Sequence, residues 1–277
     1  MWGVTGTRFQ SWLDLWGLTP DGEAFTTEHT ASWLLPVRQG EAPAMLKLAY
    51  VPEERAGAAV MEWWDGQGAA RVLARQDEAL LLERATGPRS LIEMAKTGQD
   101  EAATTIICEA VAGLHVPRSA TPPSSLAPLD IWFRELEPMA TKHGGVLADA
   151  LKAARILLAT PQDVVVLHGD VHHGNILDFD RGWLAIDPKG LLGERGYDYA
   201  NPFCNPDTEV AAAPGRLQRH VQIVSQQARI EPTRLLMWIL AYAGLSAAWI
   251  LGDGDPPLWD FTIARIAAAE LAQTSVL

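Results

Sequence analysis

Hydrophobic and polar positions are spaced in two ways along this chain, and the change comes near residue 86. Before it, short apolar runs are separated by turn residues. Residues 30–38 and 43–50 read as two strands around Arg38-Gln39-Gly40-Glu41-Ala42, a hairpin turn sequence. Pro52 opens a glutamate-rich helix that runs from Glu53 to about Trp64. Residues 69–75 and 78–84 read as two more strands. Thr86-Gly87-Pro88 then breaks the pattern. Beyond it helical spacing dominates, with helices expected at about 98–115, 128–142, 146–159, 214–229, 232–251 and 258–275. Pro122-Pro123-Ser124-Ser125 reads as a linker between two of them. The apolar run Val164 to Leu167 interrupts this series as a buried strand. Ile176-Leu177-Asp178-Phe179 and Trp183-Leu184-Ala185-Ile186 form a hairpin around Asp180-Arg181-Gly182. The pattern predicts an α+β chain in two lobes: residues 1–85 as a small antiparallel-sheet lobe, and 86–277 as a larger, mostly helical one.

The chemistry concentrates between that strand and that hairpin. His168-Gly169-Asp170-Val171-His172-His173-Gly174-Asn175 follows the strand directly, and the hairpin returns Asp187 beside Asn175. Acid, amide and acid in this order are what phosphoryl transfer uses. One carboxylate accepts the proton of the attacking hydroxyl; the amide and second carboxylate hold magnesium against the nucleotide phosphates. Magnesium is a hard cation that prefers such oxygen donors. Asp170 is therefore the candidate base, and Asn175 and Asp187 are the candidate metal ligands. His168 reads as a structural residue that holds the loop. His115, at a helix end, reads as packing or capping. His168, His172, His173, Asp170 and Asp187 could also ligate zinc or iron, which keeps a metal hydrolase as a rival. No helical His-Glu-x-x-His supports it, and adjacent His172 and His173 diverge in an extended segment.

Lys47 sits amid apolar neighbours on a predicted strand, in a chain with only five lysines. With the downstream motif it becomes the partner expected for nucleotide phosphates. Glu54 on the following helix is the favoured residue to orient it, with Glu53 and Glu62 as rivals. No Gly-x-x-x-x-Gly-Lys-Ser/Thr is present, which excludes a P-loop enzyme. No Gly-x-Gly-x-x-Gly precedes Lys47 either; Thr26-Thr27-Glu28-His29-Thr30-Ala31-Ser32 stands there instead, either as a phosphate cover or as a plain loop.

Composition narrows the partners. The net charge of −12 disfavours nucleic acid and favours cationic ligands. No uninterrupted apolar run approaches the roughly 20 residues of a membrane span. Met1 to Leu13 lacks the pattern of a secretory signal. Two cysteines, Cys108 and Cys204, give no disulfide framework and fit a reducing, cytoplasmic setting. The oligomeric state is left open.

His168 to Asn175, Asp187-Pro188-Lys189-Gly190 and Tyr197-Asp198-Tyr199-Ala200 together resemble the core of the aminoglycoside phosphotransferase family. Ser32-Trp33-Leu34-Leu35-Pro36-Val37-Arg38, the stretch Trp63 to Val72, Gly182 to Pro188, and Gly244-Leu245-Ser246-Ala247-Ala248-Trp249 are similar to its streptomycin 6-phosphotransferase branch. The resemblance runs from about residue 20 onward. It implies a two-lobed protein-kinase-like fold and ATP- and magnesium-dependent phosphorylation of a ring hydroxyl, with streptomycin and its 6-hydroxyl as the expected acceptor. It implies that the backbone around Glu83 to Ala85 binds adenine and that Asp198 braces the catalytic loop. It also implies that the acceptor binds on the helical lobe. Acidic residues there that suit guanidinium groups are Asp207, Glu209, Asp253, Asp255 and Asp260, and Trp249 and Trp259 could offer aromatic faces. Two alternatives accompany this expectation. One is a kinase of another hydroxylated metabolite, such as a sugar, choline or homoserine. The other is a catalytically inactive kinase fold that only binds.

Overall fold

The computed structural model describes residues 8–26 and 32–274. Its strands are β1 (Leu18–Pro20), β2 (Phe25–Thr26), β3 (Trp33–Gln39), β4 (Ala42–Leu48), β5 (Val72–Gln76), β6 (Ala79–Glu83), β7 (Ala127–Pro128), β8 (Val164–Leu167), β9 (Ile176–Phe179), β10 (Gly182–Ala185) and β11 (Leu191–Glu194). Its helices are α1 (Gln10–Trp16), α2 (Pro52–Trp64), α3 (Leu91–Lys96), α4 (Asp100–Leu114), α5 (Leu129–Trp132), α6 (Leu136–His143), α7 (Val146–Ala159), α8 (Thr208–Ala211), α9 (Arg216–Ala228), α10 (Pro232–Asp253) and α11 (Leu258–Thr274).

The first half-dozen strands form one antiparallel sheet in the order β1-β3-β4-β6-β5, with β2 also paired to β3. Alternation along β4 sends Ala44, Leu46 and Leu48 into a small core with Leu35, Val37 and Leu81. Lys47 consequently faces the opposite side, between Leu34 on β3 and Leu80 on β6. Phe9, Trp12 and Leu13 close this core from a helix that the sequence reading passed over.

The rest is helical around α10. By length and composition this 22-residue helix is apolar enough to cross a membrane, but here it is the buried centre of the helical body, packed against α7 and α11. Phe133, Tyr197 and Trp238 meet edge-to-face beside it, with centroid separations of 5.9 Å and 5.8 Å about Tyr197. The single helix expected at 128–142 is instead α5, a 3₁₀ turn and α6. Pro138 explains the restart, since a proline without an N–H is tolerated only in the first turn of a helix. A third sheet, β7-β11-β8, was not anticipated: β11 pairs antiparallel with β8, Leu191 opposite Leu167.

Candidate active site

The site is built on the loop after β8 and on the β9–β10 hairpin. In the hairpin Ile176 lies opposite Ala185, and Ile186 N–H donates to Asn175 O at 2.9 Å. That bond brings the chain leading into Asp187 alongside Asn175. Gly182 already belongs to β10, so the turn itself is Asp180-Arg181. Asp187 then adopts a left-handed backbone, φ +61°, costly for a non-glycine residue and tolerated where the surroundings over-determine it.

The loop is braced from below. Asp198, 1% exposed, accepts the backbone N–H of Gly169 on Oδ1 and that of His168 on Oδ2, each at 2.8 Å. His115 Nε2 lies 2.8 Å from the same Oδ2. His115 is thus Asp198's side-chain partner, a role its sequence position at a helix end did not suggest. His168 spends both ring nitrogens on the loop. Nε2 donates to Ile186 O at 2.8 Å, and Nδ1 accepts Asp170 N–H at 3.1 Å. Burial holds its pKa below the ordinary value, against the pull of Asp198 and Asp170, so it is neutral. Neither nitrogen remains for zinc. Gly169, at φ +83°, turns tightly here; a Cβ would meet Leu191 at 2.8 Å and Lys189 at 3.2 Å.

Asp170 is oriented by groups that sequence reasoning missed. Asn201 Nδ2 donates to Oδ1 at 3.1 Å, and Lys189 Nζ lies 3.3 Å from Oδ2. Asn175 Nδ2 donates to the Asp170 carbonyl at 2.9 Å, so the amide oxygen is the end of Asn175 available as a ligand. Across the cleft, Lys47 Nζ sits 2.8 Å from Glu54 Oε2 and 2.5 Å from Asp187 Oδ1. Glu54 also accepts the Ser32 hydroxyl. Glu62, one of the rivals, pairs instead with Arg75 at the surface. Residues 27–31 of the proposed phosphate cover lie outside the described residues.

Burial alone would raise the Asp187 carboxyl, but Lys47 and Lys189 outweigh it and hold it below the usual range. Burial likewise opposes charge on Lys189, and Asp170 and Asp187 outweigh it and raise its pKa. Both groups are charged at neutral pH. Asp187 and Asn175 present a carboxylate and an amide oxygen, the hard donor set that suits magnesium.

These residues line one cleft of about 1010 Å³. Glu83, Arg84 and Ala85 line it at the end of β6. The Glu83 carboxylate accepts from Arg181 and from Arg71 N–H on Oε1, and its own N–H donates to Arg71 O at 3.0 Å. The strap after it is fastened to the hairpin. Gly87 N–H donates to Asp178 O at 2.9 Å, and Arg89 forks onto the Asp178 carboxylate at 2.9 Å and 2.6 Å. A Cβ at Gly87 would lie 2.2 Å from that carboxyl carbon, so only glycine fits.

The opposite wall is formed by Trp249, Trp259, Asp260, Ser246 and Asn205. Asp260 is 7% exposed, and burial raises its carboxyl pKa against a hydrogen bond from Ser246. Trp249 and Asp260 thus line the cleft, but four of the acids do not, among them Glu209, which is exposed on α8. Asp207 caps α8 by accepting Val210 N–H at 3.0 Å and pairs with Lys96 at 2.9 Å. Asp253 and Asp255 are exposed where α10 ends, outside the cleft.

Residues 15–254 match the protein family described as "Aminoglycoside/hydroxyurea antibiotic resistance kinase". A streptomycin 3''-kinase from Klebsiella pneumoniae is 54% identical over 248 residues, covering 87% of this chain and 92% of that protein. A streptomycin 6-kinase from Streptomyces glaucescens is 30% identical over 264 residues, covering 89% and 83%. Among solved structures, a choline kinase from Cryptosporidium parvum superposes with a TM-score of 0.64 at 14% identity, covering 93% of this chain and 91% of that one. A thermostable mutant of aminoglycoside phosphotransferase APH(4)-Ia, in ternary complex with ADP and hygromycin B, superposes with a TM-score of 0.60 at 14% identity, covering 95% and 96%. At such identities the structures establish the fold alone: an antiparallel-sheet lobe on a helical body, in the protein-kinase-like manner.

Proposed function

Because the chain belongs to the aminoglycoside/hydroxyurea antibiotic resistance kinase family, we propose that it transfers the γ-phosphoryl group of ATP to a hydroxyl of streptomycin. The observation that carries this reading is the pairing of Lys47, Glu54 and Asp187 across one cleft from Asp170. In it, Asp170 accepts the hydroxyl proton, and Lys47 holds the nucleotide phosphates. Asn175 and Asp187 would hold magnesium, which would neutralise charge on the phosphates. The backbone from Glu83 to Ala85 meets the adenine, and Thr86-Gly87-Pro88 marks the boundary between lobes. Trp249, Trp259 and Asp260 form the acceptor wall; a carboxylate there suits a guanidinium group. His168 and Asp198 support the loop. Two buried free cysteines agree with a cytoplasmic setting.

The sequence expectation named the 6-hydroxyl. Identity of 54% to a 3''-kinase, against 30% to a 6-kinase, supports the 3''-hydroxyl instead. The test is ADP release by the purified protein with ATP and magnesium. Streptomycin, other aminoglycosides, choline, homoserine and simple sugars are compared as acceptors, and the phosphate position is read by NMR. Turnover with streptomycin and a 3''-phosphorylated product is expected. Asp170→Ala should lose roughly 10²–10⁴-fold in rate with its fold intact. A 6-phosphate would restore the sequence expectation. Turnover only with choline or a sugar would discard the acceptor, and nucleotide binding with no turnover would favour the inactive, binding-only fold.

A further inference from the structure

Of five lysines in the chain, two line the cleft. Lys47 is already held on both sides, by Glu54 and Asp187. The other, Lys189, is on the acceptor side, with Nζ 3.3 Å from the oxygen of Asp170 that faces it. An acceptor hydroxyl that delivers its proton to Asp170 must come within hydrogen-bond reach of that carboxylate. The transferring phosphoryl group, bonded to the same hydroxyl oxygen in the transition state, then arrives beside Lys189.

The backbone fixes Lys189 for this. Its N–H donates to His168 O at 2.7 Å, and its Cβ packs over Gly169, where an added methyl would touch it at 3.2 Å. The side chain is 22% exposed, enough to meet a ligand and too little to swing freely through solvent. The Lys189 ammonium therefore has a rigid root, an acidic neighbour that sets its direction, and an open face toward the cleft.

We propose that Lys189 is a second catalytic cation, which donates hydrogen bonds to the equatorial oxygens of the γ-phosphoryl group as it passes to the acceptor. This rests on the phosphotransferase reading above. In the step, the acceptor oxygen forms a bond to the γ-phosphorus and the β–γ bridging P–O bond breaks, its electron pair leaving on ADP. The hydroxyl proton goes to Asp170. The phosphoryl charge spreads over three equatorial oxygens during the transfer. A fixed cation there stabilises the transition state more than the ground state, so it acts on kcat more than on binding.

The alternative is that Lys189 merely positions Asp170, and a double-mutant comparison separates the two. Rates of Lys189→Met and Lys189→Arg are measured alone and in the Asp170→Ala background. ADP formation is followed both with streptomycin and with water as the only acceptor. Folding is checked by thermal unfolding, and nucleotide binding by tryptophan fluorescence. The expected result is a loss of roughly 10²-fold in kcat for Lys189→Met, with the KM for ATP changed only a few-fold. Lys189→Arg should be partly active. Lys189→Met should still lower the rate at least about tenfold further in the Asp170→Ala background and also slow hydrolysis by water. If the double variant matches Asp170→Ala and hydrolysis is unchanged, Lys189 acts only through Asp170 and the proposal is overturned. Hydrolysis needs no acceptor, so a protein that ignores streptomycin still tests Lys189 while refuting the assigned substrate.

Discussion

Two clusters of buried charge in this molecule have similar ingredients and opposite surroundings. Lys47, Glu54 and Asp187 form one, at the wall of the cleft. Asp100, Arg216 and His220 form the other, between α4 and α9. There Arg216 forks onto Asp100 at 2.7 Å and 3.1 Å, and His220 Nε2 lies 3.0 Å from the same carboxylate. His220 Nδ1 meets the Thr104 hydroxyl at 2.9 Å. His173, on the underside of the catalytic loop, lies buried near them, and its pKa falls to about 3 through burial, with Arg216 adding to the effect. The planar fork of arginine satisfies a carboxylate on both oxygens, whereas the lysine point charge engages Asp187 at one. Paired on both oxygens and outside the cleft, the Asp100 cluster ties helices together. Open and incompletely satisfied, the Asp187 cluster has room for a ligand. Burial and pairing alone do not mark a functional site; access to a cavity does.

The sharpest break of this comparison is Asp187→Ala against Asp100→Asn. The first should abolish metal-dependent turnover, a loss of roughly 10³-fold or more, with little change in unfolding midpoint. Unchanged magnesium dependence in steady-state assays would remove Asp187 as a ligand. Asp100→Asn should do the reverse. It leaves the Arg216 guanidinium buried without its counter-charge, at about 3–5 kcal/mol of stability, measured by denaturant unfolding.

The same carboxylate makes a pH prediction. Burial pushes the Asp100 pKa up, but His220 and Arg216 outweigh it and hold the folded-state value far below the ordinary one. Its contribution is present above the unfolded value of about 3.9 and is lost as pH falls toward the folded one. Wild-type stability should therefore drop on acidification below about pH 4, and Asp100→Asn should flatten that limb of the curve. The smallest effect concerns the thiols. Burial raises Cys108 to about 12 and Cys204 well above the ordinary thiol value, so neither should react with a thiol reagent at neutral pH until the chain unfolds.

The catalytic segment was legible in the sequence because its geometry is local. Five residues separate Asp170 from Asn175, and a two-residue turn returns Asp187. The Lys47–Glu54 pair was legible too, since a strand followed directly by a helix brings the two together. Asn201, His115 and Lys189 were not, because their contacts depend on how β8, β11 and the 3₁₀ turns converge on the loop. Surface and cleft acids also look alike in sequence. Asp207, Asp253 and Asp255 sit in turn-rich segments that suggest binding, but only the packing of α11 on α10 distinguishes Asp260. Polar residues within α10 obscured how completely it is buried.

The clamping of the β9–β10 hairpin fixes the spacing of the two carboxylates in the cleft. Besides the strap at Gly87 and Arg89, Ala70 and Gly68 exchange backbone hydrogen bonds with Ala185, both at 2.9 Å, and Arg181 reaches Gly66 O. The hairpin that leads into Asp187 is thus fastened to the segments on either side of β5 and β6, and the chain around Asp187 is also fastened to the Asp170 loop, where His168 Nε2 donates to Ile186 O and Lys189 N–H donates to His168 O. Hydrogen bonds on either side of Asp187 therefore tie it directly to the loop that carries Asp170. The spacing of the two carboxylates is thereby held by cross-links between the two segments, and not only by the run of chain from Asp170 to Asn175.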